Sequence, residues 1–266
     1  MKNKIAILGG GNIGRSIAGG LLAAGKISAS DILITRRRVA NLDDLKSKGI
    51  SVTADNKSAV RDASVLLICV QPTQAVDLIA EIRDSLDPSK HVVAYVIAAY
   101  EVKDIREMIG KAVPVVRVMP NTAIAIRESM TCLATHEGEN GALDQVKEIF
   151  DQLGTTMVIP EKLMGAATIL GACGIAYFMR FIRAASQGGI QVGFHAEEAQ
   201  AIAAQTARGA ATLLLQTGSH PEDEIDKVTT PRGCTIAGLN EMEHFGLSSA
   251  VIKGIVTSYN EIEKLK

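Results

Sequence analysis

The sequence predicts an α/β fold: an N-terminal doubly wound, mostly parallel sheet over residues 1–160, then an all-α C-terminal domain over residues 161–266. Three observations predict it. Short unbroken apolar runs, such as I-A-I-L at 5–8 and V-L-L-I-C-V at 65–70, suit strands buried on both faces. Such runs alternate with helix-period segments out to about residue 160, the order that builds a parallel sheet with helices on both sides. Beyond Pro160 the strand signals stop and helical periodicity takes over.

The first strand, K-I-A-I-L at 4–8, runs directly into G-G-G-N-I-G at 9–14, and Ile17, Ala18, Leu21 and Leu22 then mark a helix. Gly9, Gly11 and Gly14 supply G-x-G-x-x-G between strand and helix, which is the Rossmann-type nucleotide turn. Gly9 makes the tight bend, Gly11 lets a pyrophosphate reach the backbone, and Gly14 lets the helix pack on the sheet. The second strand, I-L-I-T at 32–35, leads into Arg36-Arg37-Arg38. A chain specific for NAD usually carries Asp or Glu there, to hold the ribose 2′-hydroxyl. Guanidinium groups bind a 2′-phosphate instead. The sequence therefore points to NADP(H) as the preferred dinucleotide, with NAD(H) also admitted, and to Arg36 and Arg37 as contacts. The alternative is a solvated basic loop.

Further strands are expected at 50–52, 65–70, 91–97, 115–119, 130–134 and 155–159. Helices are expected at 75–82 and between Gly141 and Leu153. Residues 70–74 lie past the end of a strand, where ligands collect in open α/β sheets. In the C-terminal part, residues 162–187 read as helix interrupted by Gly165, Gly171 and Gly174. Ala199, Ile202, Ala203, Thr206, Ala210, Leu213 and Leu214 trace one face of a second helix, ended by Gly218. A short helix at 223–227 follows. The last helix is expected to be capped by Ser248, with Val251, Ile252, Ile255, Val256 and Tyr259 inward. These helices carry more apolar surface than they can bury alone. That predicts self-association, as a homodimer or higher oligomer, through the C-terminal helices.

Residues 229–241 read T-T-P-R-G-C-T-I-A-G-L-N-E. Pro231 and Gly233 punctuate a turn, and Ile236, Leu239 and Met242 are spaced for one helix face. A loop that feeds a helix N-terminus presents unpaired N–H groups, which suit a carboxylate. Thr229, Thr230 and Thr235 add hydroxyls. Read alone, the stretch is equally a capped helix start.

The composition narrows the classes. Of 266 residues, 47% are hydrophobic, and the net charge of −1 gives no pull toward nucleic acid or an anionic membrane. The four cysteines lack C-x-x-C spacing, which predicts no disulfide framework, no metal site and a reducing, cytoplasmic setting with mostly buried thiols. Met1-Lys2-Asn3-Lys4 leads straight into a strand, so no signal peptide is expected. The apolar run at 163–179 is shorter than the ~20 residues that span a bilayer and reads as a buried interface helix rather than a membrane segment. His136, His195, His220 and His244 read as surface or cap residues.

With G-G-G-N-I-G at 9–14, R-V-M-P-N-T at 117–122 and D-K-V-T-T-P-R-G-C-T-I-A-G-L at 226–239 read, the chain resembles the pyrroline-5-carboxylate reductase family along its full length. The resemblance implies reduction of the C=N bond of 1-pyrroline-5-carboxylate to L-proline by NAD(P)H, the last step of proline biosynthesis. It implies cofactor contacts at Gly9, Gly11, Asn12, Ile13, Gly14, Arg36, Arg37, Asn56, Val70, Gln71, Pro72 and Asn121. It implies substrate contacts at Thr230, Gly233, Cys234, Thr235 and Met119, with Thr235 as the catalytic hydroxyl. Hydride transfer to a protonated imine needs mainly placement, which accounts for a site without a His, Cys or Lys catalyst.

Several positions depart from the family pattern. A Ser-Gly-Ser-Gly-Pro-Ala-Tyr run is here Gly171-Ala172-Cys173-Gly174-Ile175-Ala176-Tyr177. Gln71 stands where a Lys is common, Ala99-Tyr100 where Ala-Gly is, and Arg232 where the first Gly of a Pro-Gly-Gly turn is. Arg232 either meets the substrate carboxylate or faces water. Two further readings are a reductase of another cyclic imine and a non-catalytic NADPH-binding sensor. A 3-hydroxyacid dehydrogenase is disfavoured, because Arg180 stands where its proton-donating Lys would be expected.

Overall fold

The structure is a computed structural model and describes residues 4–264; the stretch Met1–Asn3, on which part of the leader expectation rests, lies outside the described residues. The chain forms two compact units. One runs to Cys173 and includes the end of the chain from Tyr259; the other is Gly174–Ser258. Residues 161–173, assigned to the helical domain on sequence, group with the sheet.

The first unit holds β1 (Ile5–Leu8), α1 (Asn12–Ala24), β2 (Ile32–Thr35), α2 (Asp43–Lys46), β3 (Ser51–Thr53), α3 (Asn56–Asp62), β4 (Val65–Ile68) and α4 (Pro72–Ile82). Then come β5 (Val92–Tyr95), α5 (Val102–Ile109), β6 (Val115–Met119), β7 (Ser129–Thr135), α6 (Asn140–Phe150), β8 (Gly154–Val158) and α7 (Met164–Ala167). The eight strands form one sheet in the order β3-β2-β1-β4-β5-β6-β7-β8. Neighbours are parallel except β6 and β7, which pair antiparallel with Val118 opposite Leu133. This is the mostly parallel doubly wound sheet expected, and all eight strands overlap the runs read from the sequence.

Both faces of the sheet are covered, which is why the strands read as unbroken apolar runs. Side chains alternate between faces along a strand. Ile5 and Ile7 of β1 pack with Ile17 and Leu21 of α1 and Phe150 of α6. Ala6 and Leu8 pack instead with Val60 of α3, Ile79 of α4 and Ile105 of α5.

After α7 the backbone passes through a π-helical stretch, Thr168–Cys173. The glycines at 165, 171 and 174 do not interrupt the helical run; the departure from regular α geometry is this wider turn.

The second unit holds α8 (Gly174–Gln191), α9 (Ala196–Thr217), α10 (Pro221–Val228), α11 (Cys234–His244) and most of α12 (Leu247–Glu263). Gly218 ends α9 in the left-handed conformation, as its sequence position suggests. His220 caps α10 by accepting from the Glu222 N–H, and His195 caps α9 with Glu198 reaching back to its N–H. Tyr177 of α8 donates to the Ser258 hydroxyl of α12 at 2.7 Å.

Two expectations are corrected here. Ser248 is not a cap: α12 begins at Leu247, and the Ser248 hydroxyl, inside the first turn, donates to Glu243. The face of α12 read as inward is largely exposed within a single chain, with Ile252 61% accessible. Leu170, Phe178 and Met179, in the run read as a buried interface helix, are likewise exposed in one chain, which leaves the apolar face such an interface would use. Periodicity marks an apolar face but not what covers it.

Candidate functional site

The site in the first unit is built on the bend between β1 and α1. Gly9 has φ +115°, a conformation that favours glycine, and a β-carbon there would lie 2.4 Å from the Cys69 carbonyl oxygen. Gly14 has no room either: its β-carbon would sit 2.1 Å from the Gly9 carbonyl oxygen. A β-carbon on Gly11 would meet nothing within 4 Å. The first and third glycines are thus required by packing, while the second leaves open space beside the backbone. Gly11 is also the N-cap of α1, so the first-turn amides of Asn12, Ile13 and Gly14 lack intrahelical acceptors and favour an anion.

Thr35, at the end of β2, pins the bend. Its backbone oxygen accepts from the Gly10 N–H at 2.7 Å and its hydroxyl from the Gly9 N–H at 3.3 Å. It is 2% accessible. Thr35 is a site residue that sequence reading missed; its position at the tip of the strand next to β1 was the available signal.

A cavity of about 900 Å³ opens beside the bend. Its lining includes Gly9, Gly11, Arg36, Arg37, Asn56, Val70 and Gln71 among the expected contacts. The size suits a dinucleotide or a large part of one. No carboxylate stands at the end of β2. Arg36 is half-buried and donates to the Gly10 carbonyl at 2.9 Å, while Arg37 and Arg38 are exposed at the cavity edge. An open glycine amide and three guanidinium groups fit a phosphate-bearing nucleotide. Cys69 also lines the cavity, and burial pushes its thiol up to about 12, which keeps it neutral rather than nucleophilic.

Gln71 and Pro72 start α4, with Gln71 as N-cap and Pro72 in the first turn. Tyr100 donates to the Pro72 carbonyl at 3.3 Å, and its own backbone oxygen accepts from the buried Tyr95 hydroxyl at 3.1 Å. The Tyr100 hydroxyl therefore braces the strand-end turn. Asn56 lies one residue inside α3, after the Asp55 cap, and its amide donates to Glu81 of α4 at 3.0 Å.

Two expected contacts sit differently. Met119 is 6% accessible and packs with Cys132, Ala134 and Met164. The polar atoms of the Asn121 amide are committed within the protein: Oδ1 accepts from the Ala123 N–H at 3.0 Å, and Nδ2 donates to the Gly171 carbonyl of the π-helical stretch at 3.2 Å.

In the second unit, residues 230–233 form a β-turn in which the Gly233 N–H donates to the Thr230 carbonyl at 2.8 Å. Pro231 occupies the second position, and Arg232 the third with φ +63°. That is the pattern of a type II turn, whose third position favours glycine. A β-carbon on Gly233 would lie 2.6 Å from the Thr230 hydroxyl. Gly233 caps α11, so the amides of Cys234 and Thr235 open the helix at its positive end. Thr235 is half-buried, and Cys234 is exposed rather than packed. The loop-to-helix geometry expected from the sequence is present.

Comparison with known proteins adds the following. Residues 161–265 match a family model described as pyrroline-5-carboxylate reductase dimerisation, and residues 4–98 one described as NADP oxidoreductase, coenzyme F420-dependent. The chain is 48% identical to pyrroline-5-carboxylate reductase 1 of Dictyostelium discoideum over 99% of its own length, though it spans only 50% of that relative. It is 45% identical to pyrroline-5-carboxylate reductase 2 of the same organism, covering 98% of the chain and 92% of the relative. A solved pyrroline-5-carboxylate reductase from Coxiella burnetii superposes with TM-score 0.91 at 27% identity, covering 100% of this chain and 99% of that one. A Plasmodium falciparum pyrroline carboxylate reductase with NADP bound shares the fold, with TM-score 0.89 at 22% identity, covering 100% of this chain and 99% of that one.

Proposed function

The chain belongs to the pyrroline-5-carboxylate reductase family, and we propose that it uses NAD(P)H to reduce the C=N bond of 1-pyrroline-5-carboxylate to L-proline, the last step of proline biosynthesis. The observation that carries this reading is 45% identity to a pyrroline-5-carboxylate reductase over 98% of this chain and 92% of that relative. The cavity beside an open Gly11, edged by Arg36 and Arg37, supports NADP(H) as the preferred cofactor, with NAD(H) also used.

The bound reduced nicotinamide supplies the hydride. The residues supply binding and placement. Gly9 and Gly14 hold the bend, Gly11, Asn12 and Ile13 offer backbone to the pyrophosphate, and Arg36 and Arg37 take the 2′-phosphate. Asn56, in the same cavity lining, faces the ribose that carries the 2′-group, and Val70, Gln71 and Pro72 shape the cavity around the rest of the nucleotide. The Gly233, Cys234 and Thr235 amides, with the Thr230 hydroxyl, hold the substrate carboxylate, and the Thr235 hydroxyl orients the ring nitrogen as the catalytic group. Met119 walls the substrate side and Asn121 the nicotinamide side, the first held by its packing and the second by its hydrogen bond to the Gly171 carbonyl. Arg232, exposed at the third position of the turn, either meets the carboxylate or faces water.

The functional division is residues 1–160 for the nucleotide and 161–266 for substrate and self-association. Self-association follows from the dimerisation family; its route through the C-terminal helices, as a homodimer or higher oligomer, is our reading. Phe178, Met179, Phe181, Leu215 and Ile252 are exposed in one chain, more apolar surface than a monomer leaves in water. Residues 161–191 have the length and composition of a membrane-crossing helix; a second copy accounts for that apolar surface. The scattered spacing of the four cysteines, without C-x-x-C, is what favours a reducing, cytoplasmic setting.

The test is loss of NADPH absorbance with pyrroline-5-carboxylate and, separately, with pyrroline-2-carboxylate. Turnover of the first supports the proposal. Turnover of the second alone points to another cyclic imine, and tight NADPH binding with turnover of neither overturns the catalytic reading.

A further inference from the structure

The cavity beside the glycine bend is not lined by cations alone. Glu81, at the end of α4, reaches the same cavity and accepts a hydrogen bond from the Asn56 amide at 3.0 Å. We propose that Glu81 sets the balance between the two dinucleotides, acting both as a charge and through Asn56. The proposal rests on the reading of this cavity as the NAD(P)H site.

A carboxylate only accepts hydrogen bonds, so the amide nitrogen of Asn56 must be the side facing Glu81. The orientation of an Asn amide is ordinarily assigned from its partners, and here the partner leaves one choice. With one N–H of Nδ2 held by Glu81, the amide orientation is fixed: its carbonyl oxygen, an acceptor, and the second N–H remain for a ligand. A ribose 2′-hydroxyl can donate to that oxygen. A 2′-phosphate presents acceptor oxygens and carries close to two negative charges. It gains nothing from an Asn56 carbonyl and is repelled by the Glu81 carboxylate. To offer a phosphate both N–H groups, Asn56 must turn its NH₂ away from Glu81 and give up that hydrogen bond; one N–H alone is a weaker contact beside a repelling carboxylate.

Two sets of residues in one cavity thus push in opposite directions. Arg36 and Arg37 favour the phosphorylated dinucleotide. The Asn56–Glu81 pair favours the free hydroxyl. Arg36 is also partly engaged, since it donates to the Gly10 carbonyl. Glu81 is exposed, so its field is screened by solvent and the effect is moderate rather than absolute. Glutamine in its place keeps the shape, removes the charge and lets Asn56 turn, because a Gln amide both donates and accepts.

The experiment is fluorescence titration of the full chain and its Glu81→Gln variant with NADPH and with NADH, at low and moderate salt. The expected result is NADPH binding tighter by roughly fivefold in the variant, with NADH unchanged or weaker by less than about twofold. The NADPH gain should shrink as salt rises. An unchanged NADPH-to-NADH ratio, or equal movement of both, overturns the role of Glu81 while leaving the cavity reading intact. Failure of the unaltered chain to bind either dinucleotide overturns the cavity reading and this inference with it. Thermal unfolding of the variant serves as the control for altered folding, since loss of stability cannot move the two affinities in opposite directions.

Discussion

A β-carbon on Gly14 would sit 2.1 Å from the carbonyl oxygen of Gly9, well inside van der Waals contact. The atom it would strike is backbone, which cannot rotate away. Gly14→Ala should therefore move the bend or unfold it, at a cost of roughly 2–4 kcal/mol. Denaturant unfolding should show the loss, and NADPH binding should fall with it. By contrast, Gly11→Ala meets nothing in the protein, so it should keep stability and lose nucleotide affinity. Equal behaviour of the two variants would reject the separate roles of the two glycines.

Arg37 is exposed, and its guanidinium makes no hydrogen bond or ion pair among the described residues, whereas Arg36 also supports Gly10. Arg37→Ala should weaken NADPH by about tenfold and NADH by less than about twofold, the loss expected for a charge-assisted contact to phosphate. Isothermal titration with both dinucleotides gives the answer. A parallel drop for both would mean the arginine does not meet the 2′-phosphate.

Thr235→Ala should lower kcat/KM by ~100-fold without changing the unfolding midpoint, as for a hydrogen bond that matters in the transition state. Thr235→Ser should recover most of the rate, because the hydroxyl is the group at issue. Steady-state kinetics with pyrroline-5-carboxylate checks both variants, and full activity in the alanine variant would remove Thr235 from the mechanism.

Arg232 holds φ +63° at a turn position that favours glycine. A non-glycine residue there is strained by about 1 kcal/mol. Arg232→Gly should relieve that strain and raise stability by up to about 1 kcal/mol, less what the freer unfolded chain takes back. If Arg232 meets the substrate carboxylate, the same change should also raise KM. A stable variant with unaltered KM would place the side chain in water.

His91 gives stability a pH dependence. It is 3% accessible, accepts the Asp87 N–H at Nδ1 (2.8 Å) and reaches the Val60 carbonyl with Nε2 (3.1 Å), which fixes the neutral Nε2–H form. Burial holds its folded pKa below the ordinary 6.5. As pH falls below about 6.5 the unfolded chain takes up the proton first, so stability is full above that value and is lost as pH drops toward the folded one. Unfolding followed from pH 7.5 to 5 should show this slope, and His91→Gln should flatten it while costing ~1–2 kcal/mol at neutral pH. An identical slope in the variant would assign the dependence to other groups.

How much of this was legible beforehand can be judged residue by residue. The sheet was legible because strands buried on both faces leave unbroken apolar runs. The glycine bend was legible because only glycine satisfies the clashes at Gly9 and Gly14. Thr35 and Glu81 were not, since each acts on a residue about 25 positions away and carries no local pattern. The wide turn at Thr168–Cys173 was missed because π geometry has no periodicity that differs clearly from an α-helix over six residues. His91 read as part of a strand, and its fixed tautomer depends on the Val60 carbonyl 31 residues away.

The succession of strands, most of the longer helices, the nucleotide bend, the basic end of β2 and the turn before α11 followed from local composition alone, whereas α2, α3 and α5 were not read. Each is set by steric or solvation preferences acting within a few residues. The antiparallel step between β6 and β7, the commitment of Asn121 to Gly171, the burial of Met119 and the pairing of Asn56 with Glu81 were decided only when distant segments packed together. Hydrogen bonds and close packing act over a few ångströms in space, whatever the separation along the chain.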